Sequence, residues 1–290
     1  MLINPIERSP VAVVGARGKT GRAIVSSLQS RGIPVVAIGR AEMQNSAEAL
    51  RGCRAAYLMA PNLHPDERNF IFSLIDSCHK AEVSRIVYHS VAAPYAPGMM
   101  HHVAKAAAED VIRRSGLEWS ILQPCAYIEN LMMGLQDENP HIDVAYSIDT
   151  LFGLISVADV GDIAAAVLLN DSHIGATYEL GGPEQLTIRD YAERAEQVLG
   201  RKVVVNQSTP NQWSAAQRSA TQAAGQAVDS DASGSYLDMR EIEWLEAMFS
   251  YYDAHGLPCG PFPAQNILGR VSRSVEEIQR AALSSSSDLE

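Results

Sequence analysis

Only four cysteines occur in this 290-residue chain, and none of them falls in a CxxC pair or another paired-ligand spacing. Cys53, Cys78, Cys125 and Cys259 therefore give no metal motif and no disulfide framework, and their isolation points to a reducing, cytoplasmic setting. Positive charge is also scarce, with 23 Lys and Arg against 34 Asp and Glu and a formal charge of −11. That balance excludes broad nucleic-acid binding, which relies on basic surface, although a local basic pocket for phosphates stays open. No apolar run approaches the roughly 20 residues of a membrane span, and the N-terminus carries no signal-peptide pattern, so no membrane partner is expected. The GxSxG elbow of serine hydrolases is missing too.

What the chain does have is concentrated near its start. The apolar run Val11–Val14 leads into Gly15-Ala16-Arg17-Gly18-Lys19-Thr20-Gly21, then a helical pattern, then a second apolar run, Val35–Ile38, ending in Gly39-Arg40. Strand, glycine turn, helix and strand in this order make a dinucleotide cradle. Gly15 takes the tight turn, Gly18 lets the backbone approach a pyrophosphate, and Gly21 lets the helix lie close to the strand. The first helical amides, around Lys19 and Thr20, face the phosphates with the positive end of the helix dipole. An NAD site places an acid at the end of the second strand. This chain has Arg40 there, with Arg17 and Lys19 in the loop, a set that favours the 2′-phosphate of NADP(H). Glu42 lies two residues beyond the usual acidic place.

Alternating strands and helices over the first 130 or so residues predict an α/β fold: a Rossmann-type doubly wound parallel sheet, with a smaller, mostly helical C-terminal substrate or lid portion. Further strands are expected at Ala55–Met59, Arg85–His89, Trp119–Leu122, Ile155–Val157 and Thr177–Leu180. Helices are expected at Thr20–Ser30, Pro65–Ala81, His101–Ser115, Val160–Leu169, Thr187–Leu199, Met239–His255 and Ser274–Leu283. The short link from Arg40 to Ala55 suggests that one of the usual six strands is reduced or missing. Thr209–Ser235, rich in Ala, Gln, Ser and Asp, reads as a mobile loop or a weak helix. The expected division is an NADP-binding domain over 1–155, to which about 156–175 return, a substrate or lid portion over 176–283, and a disordered tail over 284–290.

Ligands of open α/β sheets sit beyond the carboxyl ends of the strands. That rule selects Ala60 and Pro61, His89 and Ser90, and Pro124 through Tyr127 as further cofactor or substrate contacts. His101 and Lys105 are four apart on one predicted helix face. Short-chain reductases place a Tyr four residues before such a Lys; the Lys lowers the Tyr pKa and holds the nicotinamide ribose. Here His101 takes the Tyr position. The candidate proton donors are Lys105, His101 and Tyr127, with His102 or water as alternatives. His101 and His102 make no metal site, because adjacent helical residues point different ways and no third ligand is evident. Trp213, Trp244, Tyr251, Tyr252, Met132 and Met133 offer walls for an aromatic cleft, with core packing their more ordinary role.

These motifs resemble the NmrA-like branch of the atypical short-chain dehydrogenase/reductases, in the NAD(P)-binding Rossmann superfamily, over nearly the whole chain. The resemblance rests on Gly15–Gly21 with Arg40, on His101 through Lys105 and Glu109 to Ser115–Pro124, and on Tyr127, Glu129 and Asn130. Val157–Ala164 and Tyr178–Glu184 look like its later signatures. Gln123 stands where the family often has Arg, a change expected to alter the polarity of the cleft. The resemblance implies NADP(H) and one of two activities. One is an NADPH-dependent reductase acting on a small, aromatic or conjugated ketone, quinone or imine. The other is a non-catalytic NADP(H) sensor that regulates a protein partner. It leaves the oligomeric state open, a homodimer included.

Overall fold

The computed structural model describes residues 9–226 and 237–284. In chain order the elements are β1 (Val11–Val14), α1 (Lys19–Ser30), β2 (Val35–Ile38), α2 (Ser46–Leu50), β3 (Ala55–Leu58), α3 (Glu67–Lys80), β4 (Arg85–His89), α4 (Met100–Arg113) and β5 (Glu118–Pro124). They continue with β6 (His141–Val144), α5 (Val157–Leu169), β7 (Thr177–Leu180), α6 (Ile188–Leu199), β8 (Val204–Gln207), α7 (Pro210–Gln226), α8 (Met239–His255), α9 (Phe262–Leu268) and α10 (Val275–Ser284).

Six strands form one parallel sheet in the order β2-β1-β3-β4-β5-β7. The chain leaves β1 for β2 on one side and returns to β3 on the other, so the sheet order reverses beside β1. The carboxyl edge opens into a crevice there. Alternation along β1 sends Val11 and Val13 to one layer and Ala12 and Val14 to the other. Both faces of β1 and β3 are covered, which is why these two central strands read as unbroken apolar runs. Ile24 and Leu28 of α1 are fully buried against the first layer, each contributing about 1.5–3 kcal/mol. α5 lies against α1 at close range, because a Cβ on Gly161 would come within 2.8 Å of the Ala23 backbone.

The sheet does keep six strands, and the link after β2 carries the short helix α2 in place of a strand. β7, the sixth strand, comes from within the span expected for the lid portion. One expected strand needs correction. Ile155–Val157 is not a strand: Ile155 makes an isolated bridge to Tyr127, and Val157 already begins α5, capped by the Ser156 hydroxyl accepting from the Asp159 amide at 3.0 Å. Of the two readings for Thr209–Ser235, the helix is the one found: Pro210–Gln226 is α7, packed on α8 through Trp213 and Phe249, whose ring centroids are 4.9 Å apart; residues 227–235 lie outside the described residues. A second sheet, the parallel pair β6–β8, was not expected at all. The expected disordered tail lies outside the described residues, except that Ser284 closes α10.

Candidate functional site

The glycine loop joins β1 to α1 at the crevice. Gly15 adopts φ +72°, a left-handed conformation, and its amide donates to the Ile38 carbonyl at 2.9 Å, tying the loop to β2. A Cβ at Gly21 would lie 2.1 Å from the Gly15 carbonyl oxygen, so only glycine lets α1 approach the loop so closely. At Gly18 the same addition meets nothing nearer than 3.4 Å, which leaves that side open to a ligand. Gly18 is also the N-cap of α1 and has no side-chain cap, so the first-turn amides are free for an anion.

The loop forms one end of a cavity of about 1440 Å³. Every residue selected from sequence as catalytic or cofactor-binding lines this cavity except Gly21, which faces the loop backbone. At the glycine end, Arg40 is exposed and Arg17 Nη2 donates to Glu42 Oε1 at 3.2 Å. Lys19 Nζ donates to Asn130 Oδ1 at 3.1 Å. The opposite wall is apolar and aromatic, with Trp213 of α7 and Leu245, Met248, Phe249 and Tyr252 of α8 facing inward. Trp244, Tyr251, Met132 and Met133 do not line it; Trp244 instead stacks under the Arg240 guanidinium, 4.8 Å from its ring centroid.

Lys105 sits on the inner wall between these ends. Its ammonium donates to Glu67 Oε1 at 2.8 Å and lies 3.5 Å from the His89 carbonyl oxygen, leaving one of its three donors for the cavity. Glu67 comes from the first turn of α3, is buried, and also accepts from the Tyr88 hydroxyl at 2.6 Å. Its second oxygen, Oε2, is buried without a partner. Sequence reasoning missed Glu67, since an acid just after the N-cap Asp66 looks like an ordinary dipole-stabilising surface residue.

His89 is held between two phenols, with Nδ1 2.6 Å from the Tyr57 hydroxyl and Nε2 3.1 Å from that of Tyr127. Thr20 Oγ1 donates to Tyr127 at 3.3 Å, so the Tyr127 proton is directed to Nε2 and the ring's own proton to Tyr57. Burial, reinforced by the Lys105 charge, lowers His89 to about 3, and the ring is neutral at pH 7. Burial pushes the Tyr127 phenol above its ordinary range. Ser90 lines the cavity, but its hydroxyl donates to Glu109 at 2.6 Å. Gln123 donates to the same carboxylate at 2.7 Å and is not a lining residue, so its replacement of Arg does not set the polarity of the cleft wall.

His101 and His102 both border the cavity, although they are adjacent on α4. His102 Nδ1 donates to the Ala92 carbonyl at 2.9 Å, which leaves its Nε2 as an acceptor. His101 Nδ1 is buried without a partner. Burial first, and then the Lys105, His102 and Arg240 charges, lower His101 to about 3, so it carries no acidic imidazolium proton at pH 7. Among the described residues no cluster of three His, Cys, Asp or Glu side chains could hold a metal ion. No helix among them is long and apolar enough to cross a membrane.

The loop, the open face of Gly18 and the exposed Arg40 fit the phosphates of NADP(H). Known proteins resemble this chain to different degrees. The (4-alkanoyl-5-oxo-2,5-dihydrofuran-3-yl)methyl phosphate reductase of Streptomyces griseus is 26% identical, over 66% of this chain and 74% of its own length. The structure of an NADPH-dependent quinone oxidoreductase from Escherichia coli, complexed with NADPH, has a TM-score of 0.75 at 19% identity, covering 94% of this chain and 99% of that one. That of NmrA, a negative transcriptional regulator, has a TM-score of 0.73 at 16% identity, covering 98% of this chain and 99% of that one. At such identities the two structural likenesses speak for the fold alone. The sequence model of the NmrA-like family matches residues 22–256, and the chain belongs to that family.

Proposed function

We propose that this protein is an NADPH-dependent reductase whose substrate is a small, aromatic or conjugated ketone, quinone or imine. NADPH supplies the hydride when bound. The Lys105 ammonium supplies the proton that neutralises the oxygen or nitrogen left negative by hydride addition, and the resulting amine, which borders the cavity, recovers a proton from solvent water entering there. The observation that carries this reading is the Lys105 ammonium, which lines a cavity with a glycine loop at one end and an aromatic wall at the other and is held 2.8 Å from the buried Glu67 carboxylate behind it. His101, neutral at pH 7, and Tyr127, held by Thr20 and His89, serve as hydrogen-bonding groups around the reacting atoms. Residues 1–155 would hold the cofactor, and α7 and α8, within 176–283, would close over the substrate. The four free cysteines, all buried, support a cytoplasmic setting.

A panel of quinones, ketones, imines and enones, followed by loss of NADPH absorbance, tests the activity. Lys105→Met should lower kcat by about 10²–10³, the usual contribution of a positioned acid, while NADPH affinity changes far less. Wild-type turnover by that variant would remove Lys105 from the mechanism. The second reading is a non-catalytic NADP(H) sensor, favoured by His101 standing in the tyrosine position and being held neutral. Tight NADPH binding without turnover of any panel member transfers the reading to it.

A further inference from the structure

Glu42 comes two residues too late in the sequence to serve as the acid that closes the second strand of an NAD site. The fold cancels that offset. Directly after β2 the chain turns back in a 3-10 helix over Glu42–Asn45, and the Met43 amide donates to the Gly39 carbonyl at 3.1 Å. The turn returns the Glu42 carboxylate to the strand end. There Oε2 accepts the Gly39 amide at 2.7 Å and Oε1 accepts from Arg17 Nη2 at 3.2 Å. A Cβ on Gly39 would stand 3.1 Å from Glu42 Oε2 and 3.3 Å from Arg17 Cζ, so acid, guanidinium and strand end crowd one point. Gly39, Arg17 and Arg40 all line the cavity at its glycine end.

Arg17 and Arg40 bring two positive charges to this corner, and Glu42 cancels one of them. A 2′-phosphate that grips Arg17 must take it from Glu42 and then lie beside that carboxylate. A 2′-hydroxyl needs no exchange, since it can donate to Glu42 where the carboxylate already stands. We infer that Glu42 determines cofactor preference here by holding Arg17 back from the 2′-phosphate, so that the site separates NADPH from NADH less sharply than its two arginines alone would. The inference rests on the reading of this cavity as a dinucleotide site.

Glu42→Gln keeps the length of the side chain and an oxygen for the Gly39 amide while removing the charge. Calorimetric titration of the full chain with each dinucleotide should find NADPH bound about tenfold tighter in the variant, the scale of one close charge pair near a surface, and NADH bound more weakly. Arg17→Ala should cost more NADPH affinity in the Glu42→Gln background than in the wild type, because only there is the guanidinium uncommitted. An unchanged or weakened NADPH affinity in Glu42→Gln overturns the inference. So does an equal cost of Arg17→Ala in both backgrounds. A loop merely damaged by the substitution would weaken both dinucleotides together, the opposite of the divergence expected. If the wild type binds neither dinucleotide, the site itself fails and the inference with it.

Discussion

Replacing His101 with phenylalanine should stabilise the protein, and the gain should grow as the pH falls. His101 Nδ1 is buried without a hydrogen-bond partner, and such an atom costs about 1–3 kcal/mol. Phenylalanine removes that atom and keeps a ring beside Trp244, whose centroid is 6.4 Å from that of His101. The pH dependence follows from the position of the ring. In the unfolded chain His101 titrates at its ordinary value of 6.5; in the fold, burial and then the neighbouring charges lower it to about 3. Between these values the unfolded state binds the proton and the native state does not, so stability is intact above 6.5 and is lost as the pH drops through that window. The slope is about 1.4 kcal/mol per pH unit, which makes the loss about 2 kcal/mol between pH 6.5 and roughly pH 5. His101→Phe cancels this share, so its advantage should rise from about 1–3 kcal/mol at about pH 7.5 to about 3–5 kcal/mol at about pH 5. Urea unfolding followed by circular dichroism at those two pH values measures the difference. A stability difference that is the same at both would refute the assignment of a depressed His101. The same variant bears on the chemistry, because turnover that survives in it removes His101 from the candidate proton sources.

Two further substitutions probe the ends of the fold. Arg40→Ala should weaken NADPH binding by about 10- to 100-fold and NADH binding much less, since a guanidinium at the strand end can grip a 2′-phosphate but meets only a hydroxyl on NADH; an equal loss for both, read by titration, removes Arg40 from that role. Asp159 of α5 is buried and accepts from Arg270 Nη2 at 2.7 Å, Arg273 Nη1 at 2.6 Å and the Arg273 amide at 2.7 Å. Asp159→Asn should therefore destabilise the protein by about 2 kcal/mol, less than a fully buried pair would, because both guanidiniums reach solvent; an unchanged melting temperature would contradict that account.

The central strands were legible because burial on both faces leaves them rich in apolar residues: Val11–Val14 and Ala55–Leu58 are buried throughout, whereas the edge strand Val35–Ile38 is only partly covered and was marked by its apolar run alone. The pair β6–β8 was not, because it is a small outlying sheet: Val204 and Asn206 are exposed, and the apolar run Val203–Val205 is only three residues long. Helix α7 was legible only as one of two readings, a loop or a weak helix, for a related reason. Its Ala, Gln and Ser residues carry little apolar periodicity, and packing of Trp213 on Phe249 supplies what the local sequence does not. In the site, the glycines were readable because each answers a backbone requirement. Glu67 and Glu42 were not. One looks like a first-turn surface acid and the other like a residue out of register, and only the tertiary fold brings them against Lys105 and Arg17. Ser90 was readable as a strand-end residue, but nothing local reveals that its hydroxyl is already committed to Glu109.

Reductase and sensor make different demands on this cavity. Both need the glycine loop and the strand-end arginine, since both bind the dinucleotide, so no variant of the loop can tell them apart. The Lys105–Glu67 pair is different. Its ammonium and carboxylate are only 8% and 0% exposed, and burying two charges costs desolvation that an apolar pair of the same volume would avoid. Cofactor binding gives the pair one use, holding the nicotinamide ribose through Lys105, and reductase and sensor would share it. Proton delivery gives a second, specific one: the carboxylate holds the ammonium in place, and the remaining N–H faces the cavity. The decisive perturbation is therefore Lys105→Met, which removes the transferable proton and leaves the phosphate-binding corner untouched. A protein that loses turnover while still binding NADPH has used the pair for chemistry.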